Sequence, residues 1–366
     1  MIRLALFIIF LFLLPLAGMI CSGKETAYLL EFPPVTRYVR HAPFSLPVFI
    51  GMGMFVFFAV LPFGVRLFKS FFENHSPQKP VRSLPGWGWS AVVSGLVFWI
   101  LAWTRFEWFT LFQHHTFSPL WLSYIIAVNG AVYARRRSCF MLRETACFLL
   151  LFPASALFWW FFEYLNRFVQ NWYYLDVYRF SPMEYFLFAS LSFSTVLPAV
   201  LSTAELLLTF PVFSEAFTGF RKRPVLLSKR FWGGLLLLAG TGLFLIGPFP
   251  NLLYPLLWIS PLILLVSFQA LSGQNHIFCA AAQGDWRLIV VSATAALVCG
   301  LLWEMWNYHS LAKWVYSVPY VHRFSLFEMP LLGFAGYLPF GLECLVAGNF
   351  VREFLRKGKQ QNPNDQ

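Results

Sequence analysis

Charge is scarce in this sequence. Asp, Glu, Lys and Arg make up 12% of its 366 residues, about half the share of an ordinary soluble domain, which argues against a water-exposed globular fold. Metal-binding and disulfide signatures are also missing. The six cysteines (Cys21, Cys139, Cys147, Cys279, Cys299 and Cys344) form no C-x-x-C or Cys/His grouping, and most fall in apolar stretches, so neither a disulfide framework nor a zinc site is expected. No phosphate loop, nucleophile elbow, H-E-x-x-H or dinucleotide fingerprint occurs in a supporting context, so the sequence identifies no cofactor. Acidic residues are outnumbered and the formal charge is +11, yet the cations sit in short clusters between apolar runs rather than on one stripe. They read as topology signals, not as a nucleic-acid surface.

Apolar residues fill this space: 58% of the chain is hydrophobic and 20% aromatic. Runs long enough for a bilayer recur at 2–21, 45–68, 86–104, 117–134, 144–165, 183–210, 231–247, 252–271, 286–308 and 326–350, about ten spans in all. None alternates like a strand. Lipid leaves backbone groups no partner but each other, so runs of this length must be helices. Assigned to alternate sides, more than two thirds of the 27 Lys and Arg fall on the side of both termini, including "ARRRS" at 134–138 and "RKRP" at 221–224. The positive-inside rule then puts both termini in the cytoplasm of a multi-pass inner-membrane protein and turns the loops after Asn166 and Tyr308 outward. The first span reads as an anchor or a signal-like segment.

The chain also matches itself. "FSPLWLSYI" (117–125) resembles "LYPLLWISP" (253–261), and "FFEYLNRFVQNWYY" (161–174) resembles "LWEMWNYHSLAKWVY" (302–316). In the second pair Glu163 matches Glu304 and Asn166 matches Asn307. After a one-residue gap, Trp172 matches Trp314 and Tyr174 matches Tyr316. Leu197-Pro198 then matches Leu338-Pro339, with Glu205 and Glu343 following on the same face. The expected fold is all-α and polytopic: an N-terminal two-helix segment (1–85), two parallel four-helix repeats (86–220 and 221–350) and a polar cytoplasmic tail (351–366) expected to lack order. Repeats with an even number of helices insert with one polarity and enclose a cavity between them. The two N-terminal helices are expected to form a lateral gate or a docking surface.

Glu184 and Glu328 each follow a serine by three residues and fit helix capping boxes. Glu163 and Glu304 do not, because a carboxylate near a helix C-terminus opposes the dipole by about 0.3–1 kcal/mol and membrane depth adds to that. Helical spacing puts each beside its asparagine, a pairing that points to acid-base chemistry by Glu163 and Glu304. Asn166, Asn307, Trp172, Tyr174, Trp314, Tyr316 and His309 would then surround a substrate. Glu205 and Glu343, deeper in the membrane, are candidates for a proton relay. The leading expectation is a membrane protein holding a lipid-like or isoprenoid ligand between its repeats, with membrane lipid and an apolar small molecule as partners. A proton-coupled transporter and an assembly subunit are the alternatives.

Overall fold

The computed structural model describes residues 2–73, 75 and 80–361. It is a helical multi-pass membrane protein. Its principal helices are α1 (Ile2–Cys21), α2 (Leu46–Ser70), α3 (Gly86–Trp103), α4 (Phe117–Arg136), α5 (Thr145–Val169), α6 (Pro182–Phe193), α7 (Val196–Leu207), α8 (Lys229–Leu245), α9 (Ser260–Leu271), α10 (Arg287–Tyr308) and α11 (Tyr337–Gln361). The expected segments fall mainly on helices, but 326–350 opens in a hairpin, and the ten expected crossings are not all long and apolar enough. Among the described residues seven stretches are long and apolar enough to cross a membrane, α6 and α7 counting as one, and the bent pair Pro250–Leu257 and Ser260–Leu271 makes an eighth. α11 continues to Gln361, so the disorder expected from residue 351 does not begin there; residues 362–366 lie outside the described residues.

Local chemistry sets many of the boundaries. Ser181 and Glu184 form the expected capping box, with Pro182 at the first helical position, where its missing N–H matters least. The matching Ser325-x-x-Glu328 does not cap a helix. It forms a hairpin between β3 (Ser325–Leu326) and β4 (Met329–Pro330), with Phe327 in the left-handed region at φ 56°. The first copy has proline directly after the serine. In the second, proline falls at 330, where it keeps Met329 out of the helical region, and Glu328 pairs with Lys313 instead.

At the centre, α5 packs on α7 and α10 on α11, while α7 also packs on α10 and α11 on α5; α7 and α11 cross between them. The pairs α3–α4 and α8–α9 flank this core, reaching it through α4 against α7 and α9 against α11. Small residues permit the close crossings, as is usual where helices associate without a hydrophobic driving force. A Cβ on Gly341 would lie 2.1 Å from the Ser292 carbonyl oxygen of α10. Helix α2 stands apart, with none of its apolar 18-residue stretch buried.

The two ends of the bundle differ. One collects the basic clusters: Arg66 donates to the Ala216 carbonyl, Arg143 pairs with Glu205 at 2.8 Å, and Arg352 with Glu144 at 3.0 Å. At the other end the segments after α5 and α10 meet as strands β1 (Trp172–Tyr174) and β2 (Trp314–Tyr316). They pair antiparallel in the register Trp172 to Tyr316, Tyr173 to Val315 and Tyr174 to Trp314.

Gly341→Val is expected to lower the thermal unfolding midpoint in detergent, because overpacking at a close crossing costs about 1–3 kcal/mol. Gly64→Ala, at a helical position with open space around it, leaves the midpoint unchanged.

Candidate functional site

Glu163 and Glu304 are both completely buried. In each, one carboxyl oxygen accepts three donors. Glu163 Oε1 accepts from Trp159 Nε1 (3.0 Å), Trp172 Nε1 (3.0 Å) and Tyr174 Oη (2.5 Å). Glu304 Oε1 accepts from Trp314 Nε1 (3.2 Å), Tyr316 Oη (2.6 Å) and Tyr337 Oη (3.1 Å). The second oxygen of each is buried without a hydrogen-bond partner. Each glutamate thus holds the Trp and Tyr of the strand that follows its own helix.

The asparagines complete the turn. Asn166 Nδ2 donates to the Trp172 carbonyl at 2.7 Å, and its Oδ1 accepts from Asn171 N at 2.8 Å. Asn307 does the same for Trp314, with Nδ2 to the carbonyl at 2.7 Å and Oδ1 from the amide at 3.0 Å. Both amides are therefore engaged by backbone and are buried, so they shape the chain reversal rather than face a substrate. In the first copy Gln170, left-handed at φ 53°, ends the helix; in the second the turn is one residue longer.

The third donor is supplied differently in the two copies. Four residues before Glu163, one helical turn back, stands Trp159; four before Glu304 stands Gly300. Tyr337 fills the space left by that glycine. A Cβ on Gly300 would lie 2.4 Å from the Tyr337 ring, and the Tyr337 hydroxyl donates to Glu304 where the indole of Trp159 donates to Glu163. Spacing alone singles out Trp159, but nothing in the sequence singles out Tyr337.

Beneath the β1–β2 ribbon lies a cavity of about 600 Å³. Trp172, Tyr174, Trp314, Tyr316, Trp159 and Tyr337 line it, and α2 from Gly51 to Val60 supplies one wall. The carboxyls of Glu163 and Glu304 stand behind this aromatic layer and do not line the cavity themselves. The phenols and indoles that donate to them, not the expected carboxyls, form the cavity surface. Burial, and secondarily the adjacent Glu163, raises the Tyr174 phenol well above its usual range; burial and Glu304 do the same to Tyr316. Both phenols remain donors.

The matched tryptophans Trp121 and Trp258 pack against the helices that carry the glutamates. Trp258 stacks on Phe162 (5.2 Å between ring centroids) and on Trp172 (5.5 Å). Trp121 packs at 5.0 Å from Trp303, the residue matching Phe162, and Phe117 packs at 5.8 Å from Trp314. The outer face of the ribbon is covered by residues 38–45: Tyr38 meets Tyr173 edge-on at 5.7 Å, and Ser317 donates to the Val39 carbonyl.

The remaining expected site residues lie elsewhere. His309 is exposed and packs on Trp103, outside the cavity, because its backbone turns away at the helix end. Glu205 is held at the basic end by Arg143 and by the Phe140 amide at 2.7 Å, an ion pair and a chain-end contact rather than a relay. Glu343 is buried, and neither of its oxygens has a side-chain partner. Among the described residues no three His, Cys, Asp or Glu are grouped to hold a metal ion. No protein-family model, curated protein or solved structure matches the chain.

Glu304→Ala removes the shared acceptor of Trp314, Tyr316 and Tyr337, and since a buried group left unpaired costs about 1–3 kcal/mol, it is expected to lower the unfolding midpoint far more than Glu304→Gln, which keeps an acceptor oxygen. Thermal unfolding followed by tryptophan fluorescence measures both. Tyr174 and Tyr316 hold their protons more tightly folded than unfolded, so stability is lost as pH rises above their ordinary value of 10.0. The Tyr174→Phe/Tyr316→Phe variant should show a shallower alkaline decline in denaturant titrations.

Proposed function

We propose that this chain is a cytoplasmic-membrane protein of two tandem four-helix units, residues 86–220 and 221–350, that takes a lipid-like or isoprenoid ligand into the cavity between them. The observation that carries this reading is the cavity itself. Its volume lies within the 300–1,000 Å³ typical of small-molecule sites, its walls are largely aromatic, and few polar groups reach it, phenols and indoles beside His114, Asn171 and Ser192. The wall formed by α2 is the least packed helix of the bundle, which favours loading sideways from the bilayer past Met52 and Phe55.

The duplication is supported by contacts that survive exchange of the halves. α7 against α10 exchanges with α11 against α5, and α4 against α7 with α9 against α11. The ribbon pairs each tryptophan with the other copy's tyrosine, the register produced by a two-fold axis through Tyr173 and Val315. Trp258 on Phe162 exchanges with Trp121 on Trp303. An axis along the membrane normal gives both units one polarity. The basic clusters at the opposite end favour a cytoplasmic location for that end and for both termini.

In this reading Glu163 and Glu304 organise the binding wall rather than perform acid-base chemistry, since their donors stand between them and the cavity. Proton-coupled transport finds less support, because Glu205 is committed to Arg143 and the relay loses one end.

Protein purified in native lipid nanodiscs and extracted into organic solvent should release one lipid class above its bulk abundance, as read by mass spectrometry. Ala312→Trp, which fills the cavity, is expected to abolish that enrichment while leaving the gel-filtration profile intact. Enrichment equal to that of an unrelated membrane protein, or unaffected by Ala312→Trp, rules the reading out.

A further inference from the structure

A second pocket, of about 510 Å³, opens at the ribbon end between the segment 24–41, the last turn of α5 and the turn at 247–251. Arg167 forms part of its wall and is 3% exposed. Its terminal nitrogens donate to the carbonyls of Leu29, Glu31 and Pro33, while Nε has no acceptor. Among the described residues it makes no ion pair. Three carbonyl dipoles fix the guanidinium in place but bring no net charge, and a buried charge without a contacting counter-ion is costly.

The Glu31 and Glu163 carboxyls act on that charge from beyond ion-pair distance and offset part of it, while the rim of the pocket is basic. Lys24, Arg37 and Arg40 stand exposed around the pocket, and the one acidic side chain lining it, Glu31, is turned to Arg37 at 3.9 Å. His41 is held in place by Asn251 and the Gln170 carbonyl. An electropositive rim above a buried guanidinium with a free N–H is the arrangement that recognises a group with several anionic oxygens.

We infer that this pocket binds a phosphate group, and that the phosphate is the head of a lipid whose chain occupies the aromatic cavity. The two spaces adjoin: Gln170 lines one and Asn171 the other, and Asn251 and Tyr254 do the same on the facing turn. Arg167 lies in the last turn of a spanning helix, the level at which headgroups sit. The phosphate site stands on the charges alone; only its assignment to a lipid rests on the proposed function.

The test compares short-chain phosphatidic acid with the diacylglycerol of the same chains in binding to purified full-length protein. It is run on wild type and on Arg37→Gln/Arg40→Gln, which spares the buried Arg167 and the fold. The phosphatidic acid is expected to bind at least about tenfold more tightly, with the advantage lost in the double variant and diacylglycerol binding unchanged. Equal binding of the two lipids to wild type, or an advantage that survives in the double variant, overturns the phosphate site and leaves the apolar cavity standing. A parallel arm adds inorganic phosphate against chloride at matched ionic strength and follows thermal stability. If neither lipid binds, a phosphate-specific stabilisation absent from the double variant upholds the anion site and removes the lipid as its source, whereas no stabilisation removes both.

Discussion

One oxygen atom in each half of the molecule orders what surrounds it. Glu163 Oε1 and Glu304 Oε1 each collect three side-chain donors at the end of a spanning helix, where a carboxylate is otherwise disfavoured by the helix dipole. The donors justify its presence. Without the acceptor, Trp and Tyr groups in a water-poor layer would have nowhere to place their N–H and O–H bonds, and the strand they belong to would lose its hold on the helix. The neighbouring asparagine does for the backbone what the glutamate does for the side chains. The E-x-x-N spacing followed by W-x-Y is thus a self-contained device for folding a loop back onto the helix that precedes it. Two such devices, set edge to edge, roof a cavity.

This explains which parts of the fold were legible in the sequence. Apolar run length indicates where most helices lie, because a bilayer leaves few alternatives, but it does not reveal the hairpin that opens 326–350. The matched Glu, Asn, Trp and Tyr residues were also legible as a set, and the structure brings them together. Their roles were not. Spacing places Asn166 beside Glu163 on a helix face, but whether an amide turns toward a ligand or toward its own returning backbone depends on the loop, whose path the sequence does not encode in any simple period. Tyr337 shows the same limit: it reaches Glu304 only because Gly300 leaves room, a three-dimensional compensation with no local signature.

The two capping boxes illustrate how one proline position redirects a matched segment. Pro182 favours a helix starting directly after Ser181, whereas Pro330 delays the next helix until a hairpin has formed. The altered loop frees Glu328 to meet Lys313 and brings Met329 and Leu332 to the cavity wall. The two matched segments therefore present unlike surfaces to a shared space.

The ribbon imposes a bookkeeping of its own on the two loops. Side chains alternate along a strand, so Trp172 and Tyr174 face inward while Tyr173 meets Tyr38 on the opposite side. Sliding one strand past its neighbour by a single residue would turn that strand's indole and phenol away from their carboxyl and point its central residue, Tyr173 or Val315, into the cavity. The lengths of the two connections, from Asn166 to Trp172 and from Asn307 to Trp314, are consequently coupled: a deletion in either changes the walls on both sides of the hollow.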